Sequence, residues 1–179
     1  PQARDLYSKC LQISTEIESK RGMAINLSEL ALISFFEEQY EEAEKLYIRS
    51  LEINREIEYS RGVGTCLGSL GNIAKKRNDN QAAIEYYLQS LEINKQNNDS
   101  TGISVATHQL GQLHYDTGDL DKAEVYYEEC RIVNRDSGEH KMESMALGKL
   151  VKIAKKKGNY SKAKILDAER KRTWDLSNS

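Results

Sequence analysis

Proline is nearly missing from this 179-residue chain: it occurs once, at Pro1. Proline breaks helix interiors, so its absence elsewhere favours long helices joined by short turns of another chemistry. Cysteine is almost as scarce. Cys10, Cys66 and Cys130 are odd in number, lie far apart and form no C-x-x-C spacing, which argues against a disulfide framework and points to a reducing, cytoplasmic compartment. There is no run of about 18 apolar residues such as a membrane helix needs, and no signal-peptide pattern opens the sequence. An excess of one charge is missing too. Lys and Arg total 26 against 28 Asp and Glu, a net charge of −2, which argues against a globally basic nucleic-acid binder. Because Pro1 rather than Met comes first, an excised fragment is the expectation. The rest is 39% apolar and 30% charged, long enough for one sizeable domain.

What is there becomes visible when the chain is laid against itself at an offset of forty residues. Leu30, Leu70, Leu110 and Leu150 fall in one column, and Ile33, Ile73, Leu113 and Ile153 in another. Ala3, Ala43, Ala83, Ala123 and Ala163 form a third, and Tyr7, Tyr47, Tyr87 and Tyr127 a fourth. Each unit reads as two amphipathic helices. Leu27, Leu30, Ala31 and Ser34 follow i, i+3, i+4, i+7 spacing in the first, and Ala43, Leu46, Tyr47 and Ser50 in the second. Gly118-Asp119 and Gly158-Asn159 mark the turn between them, with Gly suited to a left-handed helix end and Asp or Asn to the next cap. Glu38-Gln39 departs from this chemistry, so a looser or differently capped turn is expected there. The units run 23–62, 63–102 and 103–142, followed by a C-terminal repeat and cap at 143–179, with 1–22 a half repeat. Together they make a single domain, 1–179.

These residues resemble the tetratricopeptide repeat. Leu67, Leu70-Gly71, Ala74, Asn78-Asp79, Ala83 and Tyr87 match its pattern, as do Leu110-Gly111, His114, Gly118-Asp119, Ala123 and Tyr127. The unit is forty residues rather than 34, and Arg55, Lys95 and Arg135 stand where proline often closes the repeat. That longer variety is similar to the repeats of Pins-type adaptors, kinesin light chains and some bacterial peptide-sensing regulators. The resemblance implies an all-α, right-handed solenoid of stacked antiparallel helix pairs. Independently, single helix pairs cannot bury their apolar face, whereas stacked pairs share one core. Gly71 and Gly111 are small where helices approach closely. Val151 replaces them in the last unit, where looser packing is expected.

Residues that could carry chemistry are few. His114 takes the core column of Ser34, Ala74 and Ala154, so packing outweighs metal binding. His108 lies on another face, which excludes an i, i+4 ligand pair. Cys10 and Cys130 share the small-residue column of Ser50 and Ser90 and read as packing thiols. Gly148-Lys149-Leu150 lacks the rest of a phosphate loop. No catalytic residue, metal ligand or cofactor is expected, and hence no enzyme. Asn54, Asn94 and Asn134 fall on the buried side of the second helices, where mid-helix Asn is a poor choice unless it is hydrogen-bonded.

The exposed face of the first helices remains, and the resemblance implies that it lines a concave peptide-binding groove. Its columns read Leu32, Asn72, Gln112, Lys152 and Phe36, Lys76, Asp116, Lys156, with Lys149 ending a third. The groove is thus expected to be apolar at its first unit, amide-rich in the middle and basic at its last. Asn72 offers a donor and an acceptor to an extended backbone. From Lys149 to Arg172, ten Lys or Arg stand against Asp167 and Glu169. That surplus either solubilises an end or meets an acidic partner; the scarcity of aromatics beside it argues against nucleic acid. The expectation is a non-catalytic scaffold binding a protein or peptide with apolar and acidic portions. Its alternative is a regulatory fragment of a larger enzyme or transcription regulator. Ala3, Leu6, Tyr7, Cys10, Ile13 and Ile17 lack a covering first helix, so self-association through this half repeat is a further expectation.

Overall fold

The computed structural model describes residues 2–177; Pro1, Asn178 and Ser179, and with them both ends of the expected 1–179 domain, lie outside the described residues. All regular structure among the described residues is helical. The chain forms two compact units, one reaching to Asn97 and the other beginning at Asn98. The first holds α1 (Gln2–Glu16), α2 (Lys20–Phe36), α3 (Tyr40–Glu56), α4 (Ser60–Lys76) and α5 (Asn80–Gln96). The second holds α6 (Ser100–Asp116), α7 (Leu120–Asp136), α8 (His140–Lys156) and α9 (Tyr160–Leu176). Within each unit sequential helices pack against one another as antiparallel neighbours. The pairs α2–α3, α4–α5, α6–α7 and α8–α9 each begin three residues ahead of the unit boundaries read from sequence.

One turn recurs throughout. Glu18, Glu38, Glu58, Asn78 and Asn98 are left-handed at φ 53 to 62°, and Gly118, Gly138 and Gly158 at φ 72 to 89°. The following N–H returns to the carbonyl five residues back, as at Gln39 to Ser34 (2.9 Å), Asp79 to Ala74 (3.0 Å) and Asn159 to Ala154 (2.8 Å). These bonds satisfy carbonyls that a helix end leaves open. The Glu38-Gln39 turn is therefore no looser than the rest. It differs in its cap: Gln39 makes no side-chain cap bond, whereas Asp79, Asp119 and Asn159 accept from N–H groups three residues on at 3.0–3.1 Å.

In the first unit Ala31, Ala43, Tyr47, Leu51, Leu67, Leu70 and Ile73 form one core; in the second Ala123, Tyr127, Leu147, Leu150, Ile153 and Ala163 form another. Gly71 is dictated by ring packing, since a Cβ there would lie 2.5 Å from the Tyr87 ring. Val151 is buried. Its α9 counterpart in the tyrosine column is Asp167, so no ring claims the space that a small residue protects elsewhere.

The column asparagines are buried and bonded. In the first unit Asn54 Nδ2 donates to Ser50 Oγ (3.2 Å), which donates to the Ala24 carbonyl (2.8 Å); Asn94 and Ser90 repeat the relay onto Gly64. In the second unit Asn134 Nδ2 donates to Ser104 Oγ and to the Cys130 carbonyl, both at 2.7 Å. Ion pairs fasten the helix ends. Arg4 meets Glu37, Arg77 meets Glu41 and Glu44, and Lys157 meets Asp121 and Glu124.

The outermost helices differ in character. Ala3 is exposed on α1 while Ala43, Ala83 and Ala123 are 0% exposed, and Leu6, Ile13 and Ile17 are exposed beside it. Cys10 is correspondingly only half-buried, whereas Cys130 is buried as expected. On α9, Asp167 and Lys171 replace the Tyr and Leu of α3 and α5, and Asp167 pairs with Arg170 and Lys171. Trp174 stands on the last turn of α9, about half exposed.

Candidate functional site

In the first unit the expected site residues come from α2 (Leu32, Phe36) and α4 (Asn72, Lys76). One stripe of α2 carries Ile25, Leu32 and Phe36, with Phe36 75% exposed. Phe35 is different. It packs edge-on against Tyr40 (5.7 Å between centroids) and belongs to the core's margin, so only one of the two phenylalanines is offered to solvent. On α4, Asn72 is half-buried and its Oδ1 accepts from the Tyr87 hydroxyl at 2.8 Å. That bond uses one lone pair of the amide oxygen and leaves the amide nitrogen as a donor for another acceptor. Lys76 is exposed at the end of the same helix face.

In the second unit the site residues come from α6 (Gln112) and α8 (Lys149, Lys152, Lys156). Gln112 repeats the arrangement of Asn72: its Oε1 accepts from the Tyr127 hydroxyl at 3.1 Å. It also accepts from Lys149, which the fold brings onto it, while its Nε2 donates to Asp116 at 2.7 Å. Lys156 Nζ lies 4.0 Å from the centroid of the Tyr115 ring, and Lys152 is exposed between these two anchored lysines. Burial pushes both Tyr87 and Tyr127 well above the ordinary phenol range, so each hydroxyl stays protonated and serves as donor.

The basic surplus near the C-terminus is partly spent within the unit. Lys157 and Lys162 both engage Glu124 and hold its carboxyl below the usual range, and Arg170 and Lys171 do the same to Asp167. The lysines on the first-helix face meet Gln112 and the Tyr115 ring rather than carboxylates of the second helices. Sequence reading missed Tyr87, Tyr127 and Tyr115 as parts of this face. The available signal was that a tyrosine in a core column must find a partner for its hydroxyl. His114 is buried as expected, stacked on Tyr126 at 5.5 Å. Among the described residues no group of three His, Cys, Asp or Glu side chains is placed to hold a metal ion.

Comparison with known proteins bears on the fold and the family. Sequence profiles of the tetratricopeptide repeat match residues 22–96 and 106–130, together more than half of the chain. No curated protein sequence matches. Among solved structures, BtubC (BKLC) from P. vanneervenii superposes with a TM-score of 0.87 at 22% identity, over 99% of this chain and 74% of that one. The apo form of RapI gives 0.86 at 21% identity, over 98% of this chain and 49% of that one. Repeats of a putative kinesin light chain from Podospora anserina give 0.75 at 17%, over 99% and 87%. A Rap protein complexed with competence and sporulation factor gives 0.78 at 19%, over 97% and 48%. The chain thus spans about half the length of the Rap proteins it matches. The ruler of forty residues, the recurring turn and these matches agree: the chain belongs to the tetratricopeptide repeat family, with a unit of forty residues.

Proposed function

We propose that this chain is a non-catalytic scaffold for a protein or peptide, and that the first-helix face of each unit is the binding surface. The observation that carries this is the tyrosine–amide bond made twice, Tyr87 to Asn72 and Tyr127 to Gln112. A merely solvated polar residue needs no such tether. An amide held by its oxygen keeps an N–H for a carbonyl, which an extended chain offers at every residue. In the first unit Leu32 and Phe36 supply apolar contact beside Asn72 and Lys76. In the second, Lys149, Lys152 and Lys156 beside Gln112 suit carboxylates. Exposed ion pairs contribute only about 0–1 kcal/mol each, so apolar and amide contacts carry affinity and lysines set orientation and on-rate. The absence among the described residues of a helix able to cross a membrane and three free cysteines fit the cytoplasm. The exposed stripe of α1 suits self-association.

Selection of binders from a displayed peptide library tests the reading. Binders should carry an apolar stretch and Asp or Glu, Asn72→Ala and Phe36→Ala should weaken them strongly, and Lys152→Glu should slow association most at low salt. Undiminished affinity in Asn72→Ala together with Lys152→Glu would place binding elsewhere. A second reading, a regulatory portion of a larger enzyme or transcription regulator, is favoured by one observation: 97% of the chain superposes on 28% of a signal-transduction ATPase with a tetratricopeptide repeat sensor from Pyrococcus horikoshii, with a TM-score of 0.77 at 19% identity.

A further inference from the structure

Between the N-terminal halves of α2 and α4, backed by α3, the first unit contains a cavity of about 200 Å³. That is the size of one side chain rather than of a whole small-molecule ligand. Asn54, 4% exposed, forms part of its wall together with Ser28, Glu29, Tyr59, Gly62 and Thr65.

The serine and threonine protons around this cavity are spent inward. Ser50 Oγ donates to the Ala24 carbonyl, so Ser28 Oγ (2.8 Å), Cys66 Sγ (3.4 Å) and Asn54 Nδ2 (3.2 Å), all within reach of it, meet it only as donors that share its two lone pairs. This fixes the amide, with its nitrogen toward Ser50. Its oxygen faces Gly62, where a Cβ would come within 2.3 Å of Oδ1. Both bonds of the Asn54 side chain leave from Nδ2, to Ser50 and Cys66. Thr65 likewise gives its proton away, to the Arg61 carbonyl at 3.0 Å.

The second unit shows what the first omits. There Asn134 Oδ1 accepts from the Ser104 hydroxyl at 3.1 Å. The residue in that position relative to Asn54 is Ala24, which lines the cavity and has no hydroxyl to give. Glu29 adds a half-buried carboxylate with no hydrogen bond or ion pair among the described residues. Arg61, also on the rim, has an interaction of its own.

Lone pairs and a carboxylate, with the serine and threonine protons directed elsewhere, recognise a group that has donors and no acceptor. We propose that this cavity is a subsite for the ammonium or guanidinium of a ligand's Lys or Arg side chain, held by Glu29 at the rim and Asn54 Oδ1 in the wall. The proposal rests on the first-helix face being the binding surface and adds to it a cationic position in the first unit.

The test uses the full chain and Nα-acetyl-arginine methylamide, followed by ¹H–¹⁵N NMR, with the citrulline analogue as the neutral isostere. The arginine compound should shift the Gly62 and Thr65 backbone amides and the Asn54 side-chain amide saturably. The citrulline compound should bind about tenfold more weakly, as the loss of a charge-assisted bond implies. Glu29→Gln should weaken the arginine compound to a similar extent. Ala24→Ser should abolish the shifts at Asn54 by importing the hydroxyl that satisfies Asn134; serine is native in that column at Ser104 and Ser144. Equal binding of the two compounds, shifts scattered over the acidic exterior, or no saturable response would overturn the proposal. None of these outcomes bears on the peptide series at Asn72, Phe36 and Lys152, so the two failures are separable.

Discussion

Single side chains show where the fold spends stability on polar groups. His114 stacks on Tyr126, and its Nδ1 lies 3.8 Å from the Asp119 carboxylate, itself paired with Lys122. Burial outweighs that carboxylate and lowers the imidazole below its ordinary 6.5. The unfolded chain therefore takes a proton first, so stability is full above the unfolded pKa and falls as pH drops through it. We expect the melting temperature to decline between about pH 7.5 and 5.5, and the decline to be shallower in His114→Ala, an alanine already native at Ala74 and Ala154. A wild-type profile as flat as the variant's would contradict this. The buried amides make a second test. Asn134 bonds through both ends, so Asn134→Ala should cost about 1–3 kcal/mol in urea denaturation, more than Asn94→Ala, whose amide donates to Ser90 alone. Such asparagines were legible in the sequence because a mid-helix Asn on an apolar face is tolerated only where its amide finds hydrogen-bond partners. The Tyr87–Asn72 bond was not, since a column gives the type of a neighbour and not its distance.

At the scale of the element, helix lengths and turns obey one template, yet the residues at the left-handed position do not. Gly118-Asp119 announces its turn; Glu38-Gln39 does not. The packing of α2 on α3 imposes the same backbone on a glutamate that has no preference for it. A left-handed non-glycine residue costs about 1–2 kcal/mol, partly returned by its lower unfolded-state entropy. Glu38→Gly should accordingly stabilise the chain by less than about 1 kcal/mol, while Gly118→Ala should destabilise it by about 1 kcal/mol. Thermal denaturation of the two variants, compared with wild type, reads both signs. If Glu38→Gly is destabilising, the glutamate makes a contribution that its backbone angle does not reveal.

For the whole molecule, the columns that repeat faithfully are the ones that pack: Leu30, Leu70, Leu110 and Leu150, or the alanines opposite them. Their burial was readable because every repeat solves the same packing problem. The first-helix face was readable only as a location. Its columns change identity from Leu32 to Asn72 to Gln112 to Lys152, and nothing in a changing column reveals which residues touch. Stability in such arrays is a sum of local terms, so a helix that buries less opens first; α9 carries Asp167 and Lys171 where α3 and α5 bury Tyr and Leu. The single tryptophan, Trp174, belongs to the last turn of α9, while ten tyrosines are distributed along the chain. Intrinsic indole fluorescence will therefore report the opening of α9, and its midpoint in urea should precede the loss of far-ultraviolet circular dichroism. Coincident midpoints would mean that α9 melts with the rest. Otherwise a tryptophan-monitored denaturation curve for this chain measures the departure of α9 and gives no stability for the array.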